Sequence, residues 1–201
     1  MAYTKSEATV AGILSAAQAL FLAKNYGDVT MDDIASAADV TKGALYHHFA
    51  TKEALYVAMM KATLHDKQAL FKAAAESQGS CRERLRRVTA TFLELPRERR
   101  DVMKLVRRDN NIFGGRVREQ LVRAYQAALP QQLEPVIRDG IRNGELAQAD
   151  PRLLSWLYVA MVEVILTRYA EEVFTGSDET ANFVTDLFFE GAGKPRPNPE
   201  G

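Results

Sequence analysis

Apolar residues recur along this chain at spacings of three and four, and the alternation of a strand is almost absent, so the chain reads as all-α. Val10, Ile13, Leu14, Ala17, Leu20 and Phe21 form one stripe, which predicts an amphipathic helix over 5–25 that ends near Gly27. Met31, Ile34, Ala35 and Ala38 give a second, shorter apolar face. Thr30 stands before it as an N-cap, and Asp33 is placed to complete a variant of the capping box. Asp32 and Asp33 also suit the positive end of that helix. Asp39 falls at a corner, where Asp tolerates the left-handed conformation better than most non-glycine residues. Thr41 then caps a third helix with Leu45 and Phe49 facing inward. Thr51 opens a fourth, which begins at Lys52 and runs to about Ser77 before Gly79 stops it.

Beyond Gly79, helices are predicted over 82–95, closed by Pro96, over 98–110, and from Arg116 toward Leu129 after the Asn- and Gly-rich break at 110–115. Pro130 and Pro135 kink or restart the next stretch, which ends over Gly140 to Gly144. Asp150-Pro151 is a helix start, an N-cap followed by Pro in the first turn. From there to about Phe174 the apolar residues cover nearly the whole circumference. Leu154, Leu157, Tyr158, Met161, Val162 and Ile165 lie on one side, and Trp156, Val159, Ala160 and Val164 on the other. A helix apolar all round needs cover on every side. The last helix is expected over 178–190, with Val184, Leu187 and Phe188 inward, and the proline-rich stretch 193–201 reads as a disordered tail.

The corner at 30–49 carries the chemistry. A helix enters the DNA major groove when its leading residues are small or basic. Gly43 and Ala44 allow close backbone approach, and Lys42 can donate to guanine or phosphate. His47 lies one turn on from Gly43, while Tyr46 and Lys52 can hold phosphates. The N–H groups at the Thr41 cap are further phosphate donors. Phe21, Gly27, Thr30, Ile34-Ala35, Ala38, Val40-Thr41, Gly43, Leu45-Tyr46, His48-Phe49, Lys52-Glu53 and Leu55 stand at the spacing of a DNA-reading head, and on them the first 60 or so residues resemble the TetR family of bacterial transcriptional regulators. The family usually has glycine where Asp39 stands. The resemblance implies DNA contacts at Thr41, Lys42, Gly43, Tyr46, His47 and Lys52, with His48 in helix packing or on a phosphate. It also implies a body whose last two long helices, about 151–174 and 178–190, pair with those of a second copy, and a ligand cavity within that body.

Charge complicates this picture. The net charge is zero, and residues 1–53 hold four lysines against six acids, whereas a basic domain is the usual nucleic-acid footprint. The acids sit mostly at helix starts and corners, and 42–49 has none, so weak non-specific binding is expected. Residues 82–118 carry 12 basic residues against five acids, and 119–201 carry seven against 13. Either these two stretches pair within the protein or across a dimer, or Arg107 or Arg108 neutralises an anionic ligand. Cys81 is alone, which excludes a disulfide framework and suits a reducing cytoplasm. No leader is expected, and the apolar run Leu153–Leu166 is too short, with Glu163 inside it, to span a bilayer.

Nothing at metal-ligand spacing, no matched nucleophile and base, and no phosphate-cradling glycine loop is found, so neither an enzyme nor a cofactor is expected. His65 reads as structural. Candidate lining residues for a ligand pocket are Met103, Arg107, Phe113, Tyr125, Trp156, Tyr158, Met161 and Glu163, whose aromatic and Met members suit bulky apolar molecules; Glu163 reads first as a paired core or interface acid and second as a polar ligand contact. The expected organisation is an N-terminal three-helix helix-turn-helix head over 1–55 and a helical ligand-binding and dimerisation body over 56–192. The expected function is a cytoplasmic dimer on a palindromic double-stranded operator, a repressor released by a small-molecule effector. The alternative is a DNA-binding architectural or partner-recruiting protein with no such effector.

Overall fold

The computed structural model describes residues 5–109 and 111–192, leaving aside the side chains of Lys5, Arg107, Arg168, Glu171 and Ala192; the expected tail at 193–201 lies outside the described residues. The helices are α1 (Lys5–Ala23), α2 (Met31–Ala37), α3 (Lys42–His48), α4 (Lys52–Ala75), α5 (Cys81–Leu93), α6 (Arg97–Asp109), α7 (Gly115–Ala128), α8 (Pro130–Arg142), α9 (Pro151–Val164), α10 (Arg168–Val173) and α11 (Ser177–Ala192). A single 3-10 turn, Tyr26–Asp28, links α1 to α2, and no strand occurs among the described residues. The chain forms two compact units. Unit 1 holds the described residues up to His65 together with Asp101–Ala124; unit 2 holds Asp66–Arg100 and the described residues from Tyr125 on. Helices α4, α6 and α7 each contribute to both.

In unit 1, Ile13, Ala17 and Phe21 of α1, Ile34 and Ala35 of α2, Leu45 of α3 and Leu55, Tyr56, Met59 and Met60 of α4 are buried, so the apolar stripes face inward as their spacing predicts. Ser6–Ala23 is long and apolar enough to cross a membrane, but here α1 packs on α2. Phe21, Tyr26, Tyr56 and Phe113 form an aromatic cluster with ring centroids 4.9–5.6 Å apart. Beside it the Tyr56 hydroxyl donates to Oδ2 of buried Asp109 at 2.7 Å. Arg108 donates to Asp109 and, through Nη2, to the Phe21 carbonyl at 2.9 Å. Arg108 is therefore committed to structure. Burial and the facing Asp109 carboxylate push the Tyr56 phenol well above its usual range.

In unit 2, α5 packs on α8 and α11, and α9 packs on α8 and α11. Gly140, expected near the end of a helix, lies inside α8. A Cβ there would stand 2.6 Å from Cys81 Sγ, so the glycine permits close approach of α5. Gly144, at φ 77°, terminates the helix. Pro135 sits inside α8 without ending it. Burial, with Glu145 nearby, pushes the Cys81 thiol up to about 12, which leaves it unreactive. The buried Tyr158 hydroxyl lies 2.7 Å from Thr89 Oγ1 and 3.1 Å from Thr185 Oγ1 and donates to the Leu85 carbonyl at 3.1 Å, knitting α5, α9 and α11 together. Three arginines of the basic stretch are paired in the same unit. Arg82 pairs with Asp186, Arg84 with Asp139 at 2.9 Å, and Arg86 with Asp178 at 3.0 Å. Pairing within the protein thus accounts for these arginines.

Two expectations for the C-terminal helices are corrected. The helix expected over 151–174 is two helices. Val164 ends α9, and Thr167 caps α10 by accepting from the Ala170 N–H at 3.4 Å. A cap-competent β-branched residue interrupts an otherwise apolar run. Leu187, expected inward, is 49 % exposed; Ala181, Val184, Thr185, Phe188 and Phe189 form the buried side of α11.

Candidate nucleic-acid interface

The α2–α3 corner is fixed by local hydrogen bonds. Thr30 Oγ1 accepts from the Asp33 N–H at 3.1 Å, and Asp33 Oδ2 accepts from the Thr30 N–H at 2.9 Å and from its hydroxyl at 2.7 Å, completing the capping box. These bonds hold the Asp33 carboxyl below the usual carboxylate range. At the other end of α2 the Val40 N–H reaches the Ala35 carbonyl at 3.0 Å and the Asp39 N–H reaches Ser36 at 3.2 Å. This is a Schellman motif with Asp39 in the left-handed position at φ 53°. Thr41 Oγ1 then accepts from the Ala44 N–H at 3.1 Å and starts α3.

Leu45 anchors α3 in the interior while Thr41, Lys42, Gly43, Tyr46 and His47 are exposed. Ala44 is half-buried, and a Cβ at Gly43 would meet nothing within 4 Å, so the start of α3 is open to an approaching surface. The His47 and His48 rings stand 5.2 Å apart, with His48 half-buried. The Lys42 ammonium lies 2.8 Å from Asp32 Oδ1 and 2.9 Å from Oδ2, which raises its pKa. An exposed pair of this kind is loose and contributes little, so the Lys42 ammonium is free to exchange Asp32 for another acceptor. Asp32 was read only as a helix-dipole residue; its hold on Lys42 depends on the corner geometry, which spacing alone does not reveal. The half-buried Lys52 ammonium donates to the Tyr26 carbonyl at 2.8 Å and the Val29 carbonyl at 2.7 Å, and sits 4.4 Å from the Tyr26 ring centre. Two of its three donors are thereby committed to backbone carbonyls.

With that geometry in place, two matches decide the family. Residues 13–59 match bacterial regulatory proteins of the tetR family, and residues 78–192 match a tetracyclin repressor-like C-terminal domain. This chain belongs to the TetR family. It is a TetR-family transcriptional regulator with a DNA-binding helix-turn-helix at its N-terminus and a helical C-terminal body. The HTH-type regulator YhgD of Bacillus subtilis is 26% identical over 154 residues, 75% of this chain and 80% of that protein. Among solved structures, FadR from Bacillus subtilis in complex with stearoyl-CoA shares the fold at TM-score 0.78 and 18% identity, over 90% of this chain and 98% of that one. AibR in complex with isovaleryl coenzyme A and operator DNA shares it at TM-score 0.70 and 20% identity, again over 90% and 98%.

The pocket candidates of this TetR-family chain divide between the units. Met103 and Phe113 are buried in unit 1, where Phe113 belongs to the aromatic cluster. Tyr125, Trp156, Tyr158, Met161 and Glu163 are in unit 2, and the Arg107 side chain lies outside the described residues. Tyr125 donates to Glu163 and packs on Trp156 with ring centroids 5.6 Å apart. Glu163 is thereby a paired acid. Met161 instead lines an apolar groove of about 550 Å³ on unit 2, with Leu154, Leu157, Val164, Leu187 and Phe188. Leu157, Val164 and Leu187 are about half exposed there.

Proposed function

We propose that this regulator acts as a homodimer that sets one α3 of each copy into successive major grooves of a palindromic operator, represses transcription there, and is released by a small-molecule effector. The observation that carries the DNA part is the exposed set Lys42, Gly43, Tyr46 and His47 on a helix anchored by Leu45. Lys42 and His47 are the base-reading pair, and Thr30, Thr41, Ala44, Tyr46 and Lys52 the backbone-gripping and close-approach positions. Two recognition helices about 34 Å apart meet the same face of the duplex.

The apolar groove of α9 and α11 supports the dimer. Leu157, Val164 and Leu187 remain outward on a face of more than one helix, and a second copy covers all of them by twofold symmetry. The same groove fits the alternative reading, a recruited protein partner, and the solution mass of the purified chain separates the two. For the effector, the acyl-coenzyme A thioesters in the FadR and AibR complexes make that class the first to test. Release requires the effector to bind the DNA-incompetent arrangement more tightly, and operator and effector then weaken each other by the same factor. Selection of sites from random DNA by the purified protein tests the reading. Recovery of an inverted repeat supports it, and recovery of no preferred sequence overturns it.

A further inference from the structure

Unit 2 contains a buried lysine that makes no hydrogen bond or ion pair among the described residues. Lys67 lies on α4, is 2 % exposed, and shares its helix face with Phe71, which is buried against Phe92 at a centroid distance of 5.6 Å. The charged neighbours of Lys67 are Arg99, which opposes its charge, and Asp66, which favours it. Burial dominates and lowers the ammonium to about 8, still cationic at neutral pH. One atom of the next residue after Arg99, the Nε of Arg100, is also buried and has no hydrogen-bond partner among the described residues. The contrast with α5 is sharp, because Arg82, Arg84 and Arg86 in the same unit each meet an aspartate. A buried cation with no hydrogen bond or ion pair of its own is among the costliest features a fold can keep, and such a group is a candidate for contact with a ligand.

We propose that Lys67, Arg99 and Arg100 form an anion site in unit 2 that takes the carboxylate or phosphate head of an organic effector. Lys67 supplies the recessed point charge. The orphaned Nε–H of Arg100 is one prong of a planar guanidinium fork that matches two oxygens of either head. The inference rests on the effector reading above and adds the effector's charge. A fatty acid and its coenzyme A thioester are the two sources of such a head, and they are separable.

The experiment titrates the full chain with decanoate, decanoyl-coenzyme A and 1-decanol, by calorimetry and by melting temperature. Wild type, Lys67→Met and Arg100→Gln are compared. At least one anion binds wild type, and the neutral alcohol binds it roughly thirtyfold more weakly or worse. Lys67→Met loses that preference for the anion over the alcohol, yet melts above wild type because an unpaired buried charge is gone. A merely structural role moves the melting temperature and leaves the anion-to-alcohol ratio alone. Preference for decanoate assigns a carboxylate, and preference for the thioester assigns its phosphates. Equal binding of acid and alcohol, an unchanged ratio in Lys67→Met, or binding of neither anion overturns the site. Operator release, followed by fluorescence anisotropy on the same samples, keeps the two readings apart. Lys67-dependent binding without release sinks the effector reading alone, while release that survives Lys67→Met sinks the anion site alone.

Discussion

The α2–α3 corner and the α9–α11 face show opposite solutions to the same surface problem. At the corner the large apolar residues Ile34 and Leu45 are buried and the exposed positions are polar, small or aromatic with a hydroxyl. That corner is complete in one chain. On α9 and α11, Leu153, Leu157, Val164, Phe183 and Leu187 stay roughly half exposed although both helices bury their other sides. The difference teaches that a surface finished with caps and small residues expects a hydrated polar partner. A surface left with leucines expects an apolar one.

The test with the largest expected effect breaks the second surface. Leu157→Glu with Leu187→Glu places carboxylates in the groove, where a second copy cannot cover them without burying charge. Ultracentrifugation should show a monomer whose helical circular dichroism is intact. Operator affinity should fall by roughly two orders of magnitude or more, because two linked heads gain that much over one. A variant that stays dimeric moves the interface elsewhere on the chain.

Next in size is the reading surface. Lys42→Ala or His47→Ala should change which bases are preferred in a selected operator, by roughly tenfold to a hundredfold at the affected pair, with little change on unrelated DNA. Sequencing of sites selected by each variant measures this. If both variants keep the wild-type preference, α3 is not oriented toward base edges as proposed.

The corner was legible because its signals are local. Thr30, Asp33, Thr41 and Asp39 each act within five residues, and each took its expected place. The C-terminal half was less legible because its decisive contacts are remote in sequence. Thr167 looked like one more β-branched residue in an apolar helix, and nothing short of the cap itself marks the break between α9 and α10. Gly140 looked like a terminator because glycine serves there often, whereas its role is set by Cys81, almost 60 positions earlier. Lys67 was overlooked although a signal existed. Met60, Leu64, Lys67 and Phe71 follow a 4-3-4 spacing, which puts the lysine on the buried stripe of α4.

Lys52 sharpens the comparison from within the head, because it belongs both to the finished surface and to its support. Two of its donors hold the Tyr26 and Val29 carbonyls. Lys52→Met should therefore cost roughly 1–2 kcal/mol of stability, less than two fully buried charged hydrogen bonds. The melting temperature should drop by about 2–8 °C. The salt dependence of operator binding decides its second role. A slope reduced by about 1 means the third donor held a phosphate. An unchanged slope means that Lys52 only positions the turn from which α2 starts.

The smallest effect separates two Schellman motifs. At the end of α2 the left-handed residue is Asp39, at φ 53°. At the end of α8 it is Gly144, at φ 77°, with the Glu145 N–H on the Gly140 carbonyl at 2.8 Å and the Gly144 N–H on Ile141 at 3.1 Å. The hydrogen bonds are alike, so the residue type carries the difference. Asp39→Gly removes the Cβ penalty of the left-handed conformation but lets the unfolded chain wander more, and the first term is larger. The expected gain is about 0.5 kcal/mol, a rise in melting temperature of about 1–2 °C. Gly144→Asp should lower it by a similar amount. Operator affinity should rise slightly in Asp39→Gly, since an exposed acid leaves the corner. A fall in melting temperature would instead mean that the Asp39 side chain itself steadies the turn between the two helices, and the corner would then owe its geometry to an aspartate where relatives in the family use glycine.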